Sequence, residues 1–144
     1  MKKITNVALL ILATTMFISC SNDDASADSN VVGKWEFSKV LTYNELNQEV
    51  FEDYNHNCST NKNFIQLDSK GEIKENFYDG DCEVEINAWT YKYKDNIIKL
   101  YNGSTLISYQ IKVLSLTSKE MKIEYISNSS SQRKGTNTYI LVKK

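Results

Sequence analysis

From residue 33 onward, apolar and polar positions alternate with a period of two, the pattern of strands that bury one face. The first such stretch is residues 33–42, with Trp35, Phe37 and Leu41 on one side. Residues 64–67 and 73–77 read as a hairpin across Asp68-Ser69-Lys70-Gly71, and Asp79-Gly80-Asp81 turns the chain again. Within 84–93 the parity switches: Val84, Ile86 and Ala88 share one face, while Trp89, Tyr91 and Tyr93 share the other. That switch predicts a bulge or break near Asn87 and Ala88. Lys94-Asp95-Asn96 leads into a strand at 97–101, and Asn102-Gly103 signals a tight hairpin. In 105–114, Thr105, Ile107, Tyr109, Ile111 and Val113 lie on one face. Met121, Ile123 and Tyr125 alternate next, 128–135 is a Ser-rich loop, and 137–143 closes the series. Only the polar stretch 44–62 departs from the pattern, and a short helical piece is expected there at 45–54.

These segments make eight strands joined mostly by tight turns. Consecutive antiparallel hairpins with one apolar face must close or stack to remove their edges. The expected fold is all-β, an eight-stranded antiparallel up-and-down barrel whose interior is filled by side chains or holds one small ligand. A two-sheet β-sandwich is the alternative.

The first thirty residues follow a different logic. Met1-Lys2-Lys3 is a short positive segment, and Val7 to Ile18 is an apolar run too short to span a bilayer comfortably. It ends at Phe17-Ile18-Ser19-Cys20, which resembles a lipobox, although Phe17 stands where leucine is usual. Residues 1–19 are therefore read as a lipoprotein signal peptide and Cys20 as the lipidated first residue of the mature chain. Residues 20–30 are small or polar after Cys20 and bury nothing, as expected of a flexible tether to a domain at 31–144. The run Ser21-Asn22-Asp23-Asp24 resembles the export signal of Bacteroidetes-type surface lipoproteins, which implies an outer-membrane location with display at the cell surface; a solvated linker on an inward-facing lipoprotein is the other reading. Acyl chains would hold firmly, each buried methylene contributing about 0.8 kcal/mol.

Composition supports the strand reading: Tyr (9), Phe (5) and Trp (2) are plentiful and proline is absent. Removing the signal leaves 125 residues with 15 basic against 18 acidic groups and no concentrated basic patch, which argues against nucleic acid as a partner. Cys58 and Cys82 are 24 positions apart in a chain expected outside the cytoplasm, where disulfides persist. A bridge is expected; the rival is a metal site at Asn55-His56-Asn57-Cys58, but His56 is the only histidine. Hydrolase chemistry needs a nucleophile, a base and an orienting group. The chain has no G-x-S-x-G, and no partner can be assigned to His56 as a base. Asp79, Asp81, Glu83 and Glu85 are the densest acidic cluster, yet they lack the spacing of a calcium loop and read as a solvated turn. The expectation is a protein without catalysis, cofactor or metal.

Gly33-Lys34-Trp35 on the first strand resembles the lipocalin G-x-W. With the segment from Cys58 through Asp68-Ser69-Lys70-Gly71 to Cys82 and the closing Tyr139-Ile140-Leu141-Val142-Lys143, the chain resembles lipocalin-like lipoprotein domains of such bacteria. The resemblance implies binding of a small, often hydrophobic molecule in the barrel mouth, by a chain held to the membrane through its lipid and working as a monomer. Candidate ligand-binding residues are Trp35, Phe37, Trp89, Tyr91, Tyr93, Tyr101 and Tyr109; ordinary core packing is the other reading of the same aromatics. The alternative function is a surface or periplasmic interaction protein with a filled barrel, touching a protein or glycan through its loops.

Overall fold

The alternation is realised as nine antiparallel strands, with no helix, among the residues described by this computed structural model, 30–127 and 137–144. Residues 1–19, Cys20, most of the expected tether and the Ser-rich loop at 128–135 lie outside the described residues. The strands are β1 (Gly33–Tyr43), β2 (Glu49–Asp53), β3 (Phe64–Leu67), β4 (Glu72–Tyr78), β5 (Val84–Lys94), β6 (Ile97–Asn102), β7 (Thr105–Leu116), β8 (Glu120–Ser127) and β9 (Thr138–Lys143). Each of β3 to β8 pairs with the next in sequence, and β9 pairs back onto β1 from Trp35↔Lys143 to Val40↔Tyr139. Eight strands therefore close into the expected up-and-down barrel, and the sandwich alternative is set aside. The ninth, β2, shares one edge of β1 with β3: β3 takes Gly33 to Glu36, and β2 takes Lys39 to Tyr43.

Three details differ from the sequence expectation. The piece at 45–54 is a strand, not a helix. Asn44 Oδ1 accepts the N–H groups of Leu46 and Gln48 at 3.0 and 2.9 Å, which folds the chain back so that β2 can pair with the long free edge of β1. A polar segment of that length has little apolar face to bury as a helix, whereas the strand satisfies its backbone groups directly. The break expected near Asn87 does not occur, because β4 and β5 pair without interruption from Glu72↔Thr90 to Tyr78↔Val84. Val84 and Ile86 simply face outward, at 45% and 56% exposure. Register shifts fall instead between Phe37 and Lys39, Lys99 and Tyr101, and Val113 and Ser115. The first inverts the alternation of β1, so that Leu41 pairs with Phe51 outside the main core rather than standing beside Trp35 and Phe37.

The two ends of the barrel are built differently. At the end where β1 begins, Trp35 is fully buried, and its Nε1–H donates to the Val31 carbonyl at 2.7 Å. Lys143 Nζ lies 5.0 Å from the Trp35 ring centroid. Gly33 suits this position through its φ of +145°, which side chains rarely adopt; a Cβ would also displace the flexible end of Lys143, 2.6 Å away. Above Trp35, the inward-facing Ile65, Leu67, Ile73, Ile98, Leu100, Ile111, Met121, Ile123 and Leu141 are each at most 1% exposed, so this end is closed and filled. Strand alternation sends the segment after β2, the β4–β5 turn and the β6–β7 turn to the other end. There a Cys58–Cys82 disulfide, Cα atoms 4.9 Å apart, ties the β2–β3 segment to the β4–β5 turn. Asn63 reinforces the tie: its carbonyl accepts from Phe37 N–H, its Nδ2–H donates to Tyr54 Oη, and its Oδ1 accepts from Tyr78 N–H.

Candidate binding site

Inward positions on the upper half of the barrel are mostly aromatic, because every second residue of β1, β4, β5, β7, β8 and β9 points inside. Their rings form a chain of contacts. Trp89 meets Tyr109 edge-on at 5.8 Å, Tyr109 meets Tyr125 at 5.8 Å, and Tyr125 meets Tyr139 at 5.8 Å. Tyr139 then meets Phe37 at 5.2 Å, and Phe37 stacks on Tyr54 at 5.0 Å and tilts against Phe77 at 5.8 Å. Phe37 is buried, but Tyr54, Phe77, Trp89, Tyr109, Tyr125 and Tyr139 are only half-buried. Among the described residues, these inward rings are less deeply buried than the apolar side chains around Trp35.

Glu75 sits within this chain of rings. It shares the inward face of β4 with Ile73 and Phe77, and only 2% of it is exposed. Tyr125 Oη–H donates to Oε1 at 2.7 Å, and Tyr109 Oη–H donates to Oε2 at 3.2 Å. Burial pushes the Glu75 carboxyl above its ordinary 4.5, and the hydrogen bonds from Tyr125 and Tyr109 offset part of that rise. The phenols respond in kind: burial, and then the Glu75 charge, push both Tyr109 and Tyr125 up. His56 closes the ring chain against Tyr54 at 4.9 Å, and its Nδ1 accepts the Asn63 N–H at 3.0 Å. Burial and then the Lys62 charge hold it below 6.5, in keeping with an accepting, neutral imidazole.

The seven candidate aromatics divide by location. Phe37, Trp89 and Tyr109 come together at this open end. Trp35, Tyr91 and Tyr93 belong to the closed end: Tyr91 Oη–H donates to the Asp68 carbonyl at 2.9 Å, and Tyr93 Oη–H donates to Asn96 at 3.1 Å. Burial, then the Asp68 charge, pushes the Tyr91 phenol up to about 12. Tyr101 is not inside at all. It pairs with Thr90, and alternation past the inward Leu100 puts it on the outer face. Sequence reasoning missed Glu75, Tyr125 and Tyr139 as site residues. The available signal was an acid at an inward position between Ile73 and Phe77, where an outward-facing polar residue is the norm. Cys58 and Cys82 are joined to each other, which removes the thiolate that a metal at His56 would need, and no group of three potential ligands occurs among the described residues.

Comparison with known proteins bears on the fold. A family model described as a lipocalin-like domain matches residues 31–123, more than half of the chain. A lipocalin-like protein from Bacteroides uniformis ATCC 8492 has a similar crystal structure, with 16% identity, 80% of this chain and 99% of that chain covered, and a TM-score of 0.50. An uncharacterized protein from Bacteroides eggerthii DSM 20697 aligns with 18% identity, covering 78% of this chain and 98% of that chain, at a TM-score of 0.48. No curated protein sequence matches.

Proposed function

Because the chain belongs to the lipocalin-like domain family, we propose that it is a binding module that takes a small apolar or aromatic molecule into the open end of its barrel, without catalysis. The observation that carries this reading is the contrast between the two ends: a closed end filled around Trp35, and an open end whose inward rings stay half-buried. A ligand lying on Trp89, Tyr109, Tyr125 and Tyr139 would complete the burial of those rings, and apolar area removed from water contributes roughly 25 cal/mol per Å². The sequence of residues 1–30 supports the rest of the proposal: a chain tethered through lipidated Cys20 to the outer membrane, where the Ser21-Asn22-Asp23-Asp24 run favours display at the cell surface.

The test uses the two tryptophans, which occupy opposite ends. Apolar aromatic probes titrated into the full chain should quench its fluorescence saturably, and Trp89→Phe should remove most of that response while Trp35→Phe leaves it. Absence of saturable quenching would sink the binding reading. A second reading would then take its place, resting on the exposed Val84 and Ile86 of upper β5, whose edge beyond Thr90 has no β6 partner. On that reading the module contacts a protein or glycan through its outer surface.

A further inference from the structure

Glu75 is a nearly fully buried carboxylate for which the described residues provide no cation. The ion pairs among them, Lys39–Asp53 at 3.8 Å and Lys144–Glu36 at 3.5 Å, are on the outer surface. The lysines of the neighbouring strands are exposed and alternate outward: Lys74 on β4, Lys92 on β5, Lys99 on β6 and Lys112 on β7. A carboxylate withdrawn from water loses hydration that only a compensating charge or several hydrogen bonds replace. Tyr109 and Tyr125 supply two donors, whereas an ionised carboxylate offers about four acceptor positions.

The surroundings favour one kind of donor. Rings of Trp89, Tyr109 and Tyr125 crowd the same space, and π-faces attract cations, most strongly where water is excluded. The cross-strand partner of Glu75 on β5 is Asn87, whose Nδ2–H donates to Glu85 Oε1 at 3.3 Å. Glu85 is exposed at the rim on the same face, so the approach to Glu75 carries the same sign of charge as its end. An anionic ligand is repelled along this line, whereas a cation favours the ionised form of Glu75 and offsets its desolvation.

We propose that the open end selects a protonated amine carried on an apolar or aromatic body, with the ammonium on Glu75 and the body against the Trp89 and Tyr109 rings. This rests on the reading of the barrel as a small-molecule binding module and names the class of molecule. The ammonium donates to the acceptor positions of Glu75 that the two phenols leave open. Tyr109 and Tyr125 hold the carboxylate in place for it.

The test compares phenethylamine, tryptamine and hexylamine with 2-phenylethanol, tryptophol and 1-hexanol, by calorimetry on the full chain near neutral pH. The amines should bind about 10- to 100-fold tighter than the matching alcohols, the discrimination a charged hydrogen bond gives. Glu75→Gln should erase the preference, so that the variant binds each amine no tighter than its matching alcohol. Equal binding of both series by the wild type, or a preference that survives Glu75→Gln, overturns the amine inference while the small-molecule reading stands. Binding of neither series overturns both. If Glu75→Gln does not fold, N-acetylphenethylamine on the wild type decides: it should bind like the alcohols, and affinity equal to that of phenethylamine overturns the proposal.

Discussion

Glu75 is the side chain that its sequence neighbourhood describes least well. Alternation puts it on the same face as Ile73 and Phe77, but alternation cannot tell an inward acid from a local irregularity. What identifies its role is cross-strand: Tyr109 and Tyr125 stand 34 and 50 positions away, and only closure of the barrel delivers their hydroxyls. Trp35 was legible for the opposite reason, since a glycine at 33 and a tryptophan two residues later are a local pattern. The buried acid has a consequence for pH. Its folded carboxyl is held above the unfolded value of 4.5, so the folded state binds the proton more tightly than the unfolded one. The stability it contributes is fully present below pH 4.5 and is lost as pH rises through the folded value. Thermal melts of the wild type and Glu75→Gln across pH 4 to 8 should show their difference in stability changing in that direction, with the wild type gaining relative to the variant on acidification. A pH-independent difference would contradict a buried, titrating Glu75.

At the scale of elements, the strands were readable and their irregularities were not. Period two located β1 and β3 to β9, because each buries one face and the residues record it. The strand β2 escaped because its pairing depends on an edge of β1 that β3 leaves uncovered, a fact about neighbours rather than about residues 49–53. Similarly, Val84 and Ile86 suggested a break in β5 because exposed valine and isoleucine look like core in a sequence. The segment between β2 and β3 has no strand of its own at 54–63; Asn63 and the Cys58–Cys82 bridge hold it to the open end. Replacing both cysteines with alanine should lower unfolding stability by roughly 3–4 kcal/mol, the loop-closure value for a bridge of this span. Denaturant titration of the oxidised wild type against the double variant measures it. A loss below about 1 kcal/mol would mean that the Asn63 hydrogen bonds, not the bridge, hold this segment.

For the molecule as a whole, the barrel and its family were legible in the order of strands and turns, while the polar centre of the open end was not. The anchoring proposal is tested at this scale too: Cys20→Ala should leave the chain unprocessed and shift it out of the detergent phase, and partitioning like the wild type would contradict lipidation at Cys20. The β1–β9 seam has a further consequence for how the molecule comes into being. It pairs Trp35 with Lys143, residues 108 positions apart, so no part of the barrel can close before the ninth strand has been made and delivered. A chain interrupted before β9 would present β1 and β8 with bare edges, along which truncated copies can join one another. Only the complete chain therefore seals the seam between β1 and β9 with its own backbone.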